Sequence, residues 1–311
     1  MNKIEKIKLA VDVAIYYFTI NFVLYILPIL ILPYLFFRNI SGLNYAIMYI
    51  TLIVVIIVLV IISNVLKRKV QGDISFDSKP LLNLIVGVLF IITGITRSPT
   101  FVVSLISSFS NHQNYSFIDW VYAGIMIIIL VVLIGIGVYL IFTVIKRDKQ
   151  IEKIKVAVDV ALYYFTIYVV LNLLIQIIPT LFYKNYGIKF WQILFSLQYE
   201  VFAVVICFLA IISSVIKRKV HVSISMDSKL LLYIIVGFLL IVDGVTSIPS
   251  NISRIIYLNH SASTLQGGKD ILMNYIDSII LPIAFTIIQI GIGAYFTLMT
   301  IKRDKQIEET H

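Results

Sequence analysis

Charge is scarce in this chain. Only 13% of its 311 residues are Asp, Glu, Lys or Arg, against about 25% in an ordinary soluble domain. Sixty per cent are apolar. A soluble fold of this size cannot hide that much apolar surface, and a disordered chain needs low hydrophobicity. Both classes are excluded, and a polytopic membrane protein remains. Cysteine is nearly absent too. Cys207 stands alone, so there is no internal disulfide and no thiolate metal cage.

Catalytic motifs are missing. The sequence has no His-Glu-x-x-His, no Gly-x-Ser-x-Gly, no Cys-x-x-Cys and no phosphate-cradling loop ending in Gly-Lys-Ser/Thr. Its four histidines, His112, His221, His260 and His311, have no histidine or carboxylate at i, i+4 on an apolar span. His112 and His260 both follow asparagine in corresponding loops. They read as polar loop residues; a metal shared between the two loops is the alternative. No resident metal, cofactor or catalytic residue is expected. No cleavable signal peptide is expected either: Met1–Lys8 is charged, and the apolar stretch after it is too long.

What the chain does have is one unit written twice. Ile4–Ile20 and Ile151–Ile167 agree at 15 of 17 positions. Lys67-Arg68-Lys69-Val70 returns as Lys217-Arg218-Lys219-Val220, and Asp77-Ser78-Lys79 as Asp227-Ser228-Lys229. Lys146–Glu152 returns as Lys302–Glu308. The offset grows from 147 to 150 to 156, so the second copy is longer in its connecting loops. The units are 1–148 and 149–311.

A transmembrane helix needs about 20 mostly apolar residues. Each unit supplies four such stretches, near 12–37, 45–66, 80–98 and 119–145, then 159–182, 191–216, 230–249 and 278–301. The expected fold is all-α: a membrane helical bundle of eight transmembrane helices, built as two parallel tandem four-helix repeats. Nineteen of the 25 basic residues fall at one set of span ends. By the positive-inside rule both termini are cytoplasmic. The net charge of +9 is then a topology signal, and a nucleic-acid partner is not expected. An even number of spans per copy makes the repeat parallel rather than inverted.

Trp120 and Trp191 fall at outer span ends, as in an aromatic belt. Asp77, Asp119, Asp227 and Asp277 precede apolar runs and read as helix N-caps. Pro80 suits a first turn, while Pro28, Pro33 and Pro179 predict kinks or broken ends. The outer segments 99–118 and 250–277 read as short interfacial helices. Asn-x-Ser occurs at Asn39, Asn114, Asn251 and Asn259, all expected outside. In the low-GC bacterium that the Ile/Lys/Asn usage suggests, these would be accidental.

Four groups of residues are candidates for function or packing. Gly87 and Gly94, and their counterparts Gly237 and Gly244, lie seven apart on one helix face, and the close pairs Gly135/Gly137 and Gly291/Gly293 recur in the fourth and eighth spans. They read as helix-packing seams. Lys8, Asp12 and Tyr16, with Lys155, Asp159 and Tyr163, form a stripe at i, i+4, i+8, read as an interfacial ion pair. Glu200 and Asp243 carry charge where the first copy has Ile50 and Thr93. A charge within the bilayer is costly, so these two mark a candidate intramembrane acidic site. Arg97, where the second copy has Ser247, is its candidate partner if the third and seventh spans meet on their glycine faces. Finally, Asp77, Ser78, Lys79, Asp227, Ser228 and Lys229 recur although charge bias alone does not require them, and they form a candidate cytoplasmic docking motif.

The partners expected are therefore the lipid bilayer and a membrane or cytoplasmic protein. The leading reading is a non-catalytic binding or accessory component of the cell membrane, for instance in self-protection. The alternatives are a proton- or cation-coupled small-molecule transporter using Glu200 and Asp243, and an intramembrane enzyme.

Overall fold

The computed structural model describes residues 3–26, 42–69, 78–110, 117–147, 151–180, 197–220, 226–262 and 279–309. These form eight helices. They are α1 (Lys3–Asn21, continued by a π-helical turn, Phe22–Ile26), α2 (Gly42–Lys69), α3 (Ser78–Ser110), α4 (Phe117–Arg147), α5 (Ile151–Thr180), α6 (Leu197–Val220), α7 (Met226–Ala262) and α8 (Leu281–Glu309). Seven of them are long and apolar enough to cross a membrane. The remaining one, α2, has 28 residues. Helix is what such a sequence must form in lipid, because each backbone N–H and C=O needs a partner within its own segment.

Four helices make the core. The inward faces of α1 (Ala10, Val13, Ala14, Tyr17), α3 (Leu84, Ile85, Leu89, Phe90), α5 (Ala157, Val160, Ala161, Tyr164) and α7 (Ile234, Ile235, Leu239, Leu240) are buried. The other four helices surround them and turn branched apolar side chains outward, such as Ile61, Val131, Ile211 and Ile287. In water such faces would mark an interface; on membrane-length helices they suit lipid.

The packing is crosswise between the halves. Each half pairs its own helices, α1 with α2, α3 with α4, α5 with α6, and α7 with α8. Beyond that, α1 and α2 both lean on α7, and α5 and α6 both lean on α3. The third helix of each half is thus a post for the first two helices of the other.

Several boundaries differ from the sequence expectation. α3 runs through Pro99 to Ser110, and α7 runs past Pro249 to Ala262. The first parts of the expected interfacial segments are therefore continuations of spans. At 33 and 37 residues, these helices are about 50 Å or more long and exceed the ~30 Å hydrocarbon core. Asp119 and Asp227 lie inside the first turns of α4 and α7 rather than before them. Pro80 occupies the first turn of α3, and Pro179 the penultimate position of α5. Asp77, Pro28, Pro33, Trp191 and Asp277 lie outside the described residues.

Candidate functional site

The sequence Lys-Leu-Ala-Val-Asp at residues 8–12 sets a cation and a carboxylate one helical turn apart. In α1, Lys8 Nζ reaches Asp12 Oδ2 at 2.6 Å, and Ser63 Oγ of α2 donates to Asp12 Oδ1 at 2.5 Å. The second copy repeats this part for part. Lys155 Nζ reaches Asp159 Oδ2 at 2.9 Å, and Ser213 Oγ of α6 donates to Asp159 Oδ1 at 2.5 Å. Lys8, Asp12, Lys155 and Asp159 are all buried. The pairs are therefore packed inside the bundle rather than displayed on its surface. The stripe does not continue inward, because Tyr16 and Tyr163 are exposed and their neighbours Tyr17 and Tyr164 point into the core. Each carboxylate ties the first helix of a half to the second. A buried charge is tolerable only when paired and hydrogen-bonded, and both conditions are met here. The serines were not singled out in the sequence, although Ser63 and Ser213 stand at corresponding positions.

Deeper in the bundle the halves meet on their tyrosines. The rings of Tyr17 and Tyr164 lie edge to face with centroids 6.3 Å apart, and Tyr17 also stacks on Phe90 of α3. The Tyr17 hydroxyl is 2.8 Å from Thr93 Oγ1. Thr93 gives its own proton to the Leu89 carbonyl at 2.8 Å, so Tyr17 is the donor in the shared bond. At the position equivalent to Thr93, α7 carries Asp243. Its Oδ2 accepts from Gln289 Nε2 of α8 at 2.7 Å. Arg97 of α3 lies within electrostatic range of Asp243 and of Tyr17, Tyr164 and Tyr168. A basic residue from one half and an acidic residue from the other thus act on the same tyrosines.

From Asp243 a polar seam runs outward between α7 and α8. Ser247 donates to the Gly244 carbonyl at 2.7 Å, which leaves Thr286 as donor in the 3.0 Å contact between the Ser247 and Thr286 hydroxyls. Thr286 in turn accepts from Asn251 Nδ2 at 2.9 Å, and that amide also points at the Pro282 carbonyl, 3.5 Å away. The first copy has Thr93, Leu133, Arg97, Leu130 and Phe101 at the positions of Asp243, Gln289, Ser247, Thr286 and Asn251. Aligning the two copies column by column is the signal that would have found this seam. It also corrects the reading of Asn251, which is buried in a helix and bonded rather than displayed in an outer loop.

The remaining candidates fall elsewhere. Glu200 is exposed in the first turn of α6. The described part of α6 begins at Leu197, and the expected start near 191 lies outside the described residues. α6 packs on α5 and α3, so Glu200 and Asp243 are not brought together. The glycine faces of α3 and α7 do not meet each other either. A Cβ on Gly87 would lie 2.8 Å from the Gly137 carbonyl oxygen of α4, and one on Gly237 would lie 2.7 Å from that of Gly293 of α8. Gly94 and Gly244 face Ile134 and Ile290 of the same two neighbours. In the docking motif, Lys79 and Lys229 are exposed, and Ser228 Oγ lies 3.5 Å from Glu152 Oε1 of α5. The position of Ser78 opens α3 and that of Asp227 falls in the first turn of α7. His112, His221 and His311 lie outside the described residues. Among the described residues no group of three or more His, Cys, Asp or Glu side chains is placed to hold a metal.

No protein-family model, curated protein or solved structure matches this chain, so its own side chains carry the functional reading.

Proposed function

We propose that this protein is a non-catalytic accessory component of the cytoplasmic membrane. It spans the bilayer eight times as two tandem four-helix units, keeps both termini in the cytoplasm, and docks a protein partner on its cytoplasmic face. The observation that carries this reading is the doubled inner end. The Lys8–Asp12–Ser63 and Lys155–Asp159–Ser213 clusters each fix a helix pair with the same bonds. Beside them the repeated Asp-Ser-Lys motif leaves Lys79 and Lys229 exposed. Two equivalent faces at one end suit a partner held twice. The test is native mass spectrometry of the protein extracted gently from its own membrane. A stoichiometric protein partner is expected, and it should be lost when Asp77, Ser78, Asp227 and Ser228 are changed to alanine. A partner that stays bound to that variant overturns the motif, and a chain that carries no protein overturns the accessory reading.

The polar seam favours a second reading, a proton- or cation-coupled transporter with Asp243 as the coupling carboxylate. Intramembrane ionisable residues mark ion and substrate pathways. On this reading Asp243→Asn abolishes solute uptake by cells while the amount of protein in the membrane is unchanged. Uptake that survives the substitution removes it.

A further inference from the structure

α2 and α6 carry the same outward pattern. On α2, Val54, Val58, Ile61 and Val65 are exposed at spacings of four, three and four residues. Three residues further on, Arg68 continues the stripe, with Lys67 beside it, and both are exposed. On α6, Val204, Phe208, Ile211 and Val215 are exposed with the same spacing, and Arg218 and Lys217 end that stripe in the same way. From Val54 to Val65 is 11 steps, about 16 Å at the helical rise. That is about half of the ~30 Å hydrocarbon thickness, or one leaflet.

The crosswise packing adds a third cation to each stripe, taken from the other half. α2 packs on α7, whose first turn exposes Lys229, and α6 packs on α3, whose first turn exposes Lys79. α2 and α6 end where α7 and α3 begin, at the end of the bundle that holds the two Lys–Asp–Ser clusters. None of these six cations has a hydrogen bond or ion pair with a described residue. Topology signals alone would account for basic residues at this end. They do not account for arginines aligned with an exposed apolar stripe of one-leaflet length, built twice.

We infer that each half provides a seat for one anionic phospholipid. The phosphate sits among Lys67, Arg68 and Lys229 in one seat and among Lys217, Arg218 and Lys79 in the other. One acyl chain lies along the apolar stripe below. The occupant is a lipid rather than a free anion because the cations and the stripe form one continuous surface with the polarity of a phospholipid. A basic residue near an anionic headgroup contributes about 1 kcal/mol, so three of them correspond to roughly a hundredfold in affinity. The inference requires membrane embedding only, and its test alters cations rather than Asp77, Ser78, Asp227 or Ser228.

The full-length protein, delipidated in detergent, is titrated with phosphatidylglycerol or with phosphatidylcholine of matched chains, and bound lipids are counted by native mass spectrometry. Two phosphatidylglycerols per chain are expected, held about a hundredfold more tightly than phosphatidylcholine. The K67Q/R68Q/K229Q variant should keep one. Adding K79Q/K217Q/R218Q should leave none. K302Q/R303Q, which removes exposed cations from α8, should keep two. Circular dichroism confirms that each variant is folded. Equal retention of the two lipids, two lipids on the six-fold variant, or equal loss in K302Q/R303Q would each overturn the proposal.

Discussion

Asp12 shows what a single residue does here. Its two oxygens serve two helices, one held by Lys8 of α1 and the other by Ser63 of α2. Removing the carboxylate strands a buried ammonium, and breaking such a pair costs about 3–5 kcal/mol. Asp12→Ala should therefore lower the thermal unfolding temperature in detergent strongly, and Asp159→Ala should do the same. Replacing both partners with apolar groups of similar volume, as in K8M/D12L, should recover most of that loss, because no unpaired charge is left behind. If the single and double variants melt together, the pair does not hold the helices. The ion pairs were legible at i, i+4. Their burial was not, because α1 looks the same in sequence whether its charged stripe faces a headgroup or another helix. Ser63 and Ser213 were invisible for a related reason: a hydroxyl in an apolar run bonds equally well to its own helix.

At the scale of helices, the glycines divide into two kinds that the sequence lists side by side. Gly137 of α4 lies against the backbone of α3, and a Cβ there would sit 2.7 Å from the Gly87 carbonyl oxygen and 3.1 Å from the Ile91 nitrogen. Backbone cannot swing aside as a side chain can. Gly137→Ala should cost about 1–3 kcal/mol through forced separation of the hairpin, and Gly293→Ala should behave alike against α7. Two residues earlier, Gly135 and Gly291 have open space where a Cβ would stand. Gly135→Ala should gain about 0.5–1 kcal/mol from helix propensity. Melting temperatures of the three variants check the division, and a loss at Gly135 equal to that at Gly137 would contradict it. Spacing alone revealed close approach but not the neighbour. Gly87 and Gly94 were consistent with a partner in the other half, and the partner is the next helix in the same hairpin. The helix ends were misjudged for a different reason. The apolar stretches stop near 98 and 249, yet α3 and α7 run on through Pro99 and Pro249, since a proline in a long membrane helix is tolerated where neighbours or water satisfy the freed carbonyl.

Across the whole molecule, the doubling and the apolar stretches were plain from the sequence, and the crosswise arrangement was not. Hydropathy orders helices along the chain but says nothing of which ones touch. The electrostatic reach of Arg97 to Asp243 depends on that arrangement, since each comes from a post helix that supports the other half. The sequence paired these residues, 146 positions apart in the chain, through a meeting of glycine faces, and those faces pack on α4 and α8 instead. The arrangement also bears on synthesis. α1 and α2 leave the ribosome well before α7, the helix against which they finally rest, and α3 must wait for α5 and α6. In a single four-helix copy, the first helix would keep its contact with the third of its own half and the second would lose the third helix that it leans on. Trading surfaces with a second copy, in the manner of a domain-swapped pair, would restore the crosswise contacts. Joining the two copies in one chain makes that exchange independent of protein concentration. It also frees each copy to change alone, and the acid in the second and the base in the first are changes that a pair of identical chains could not keep apart.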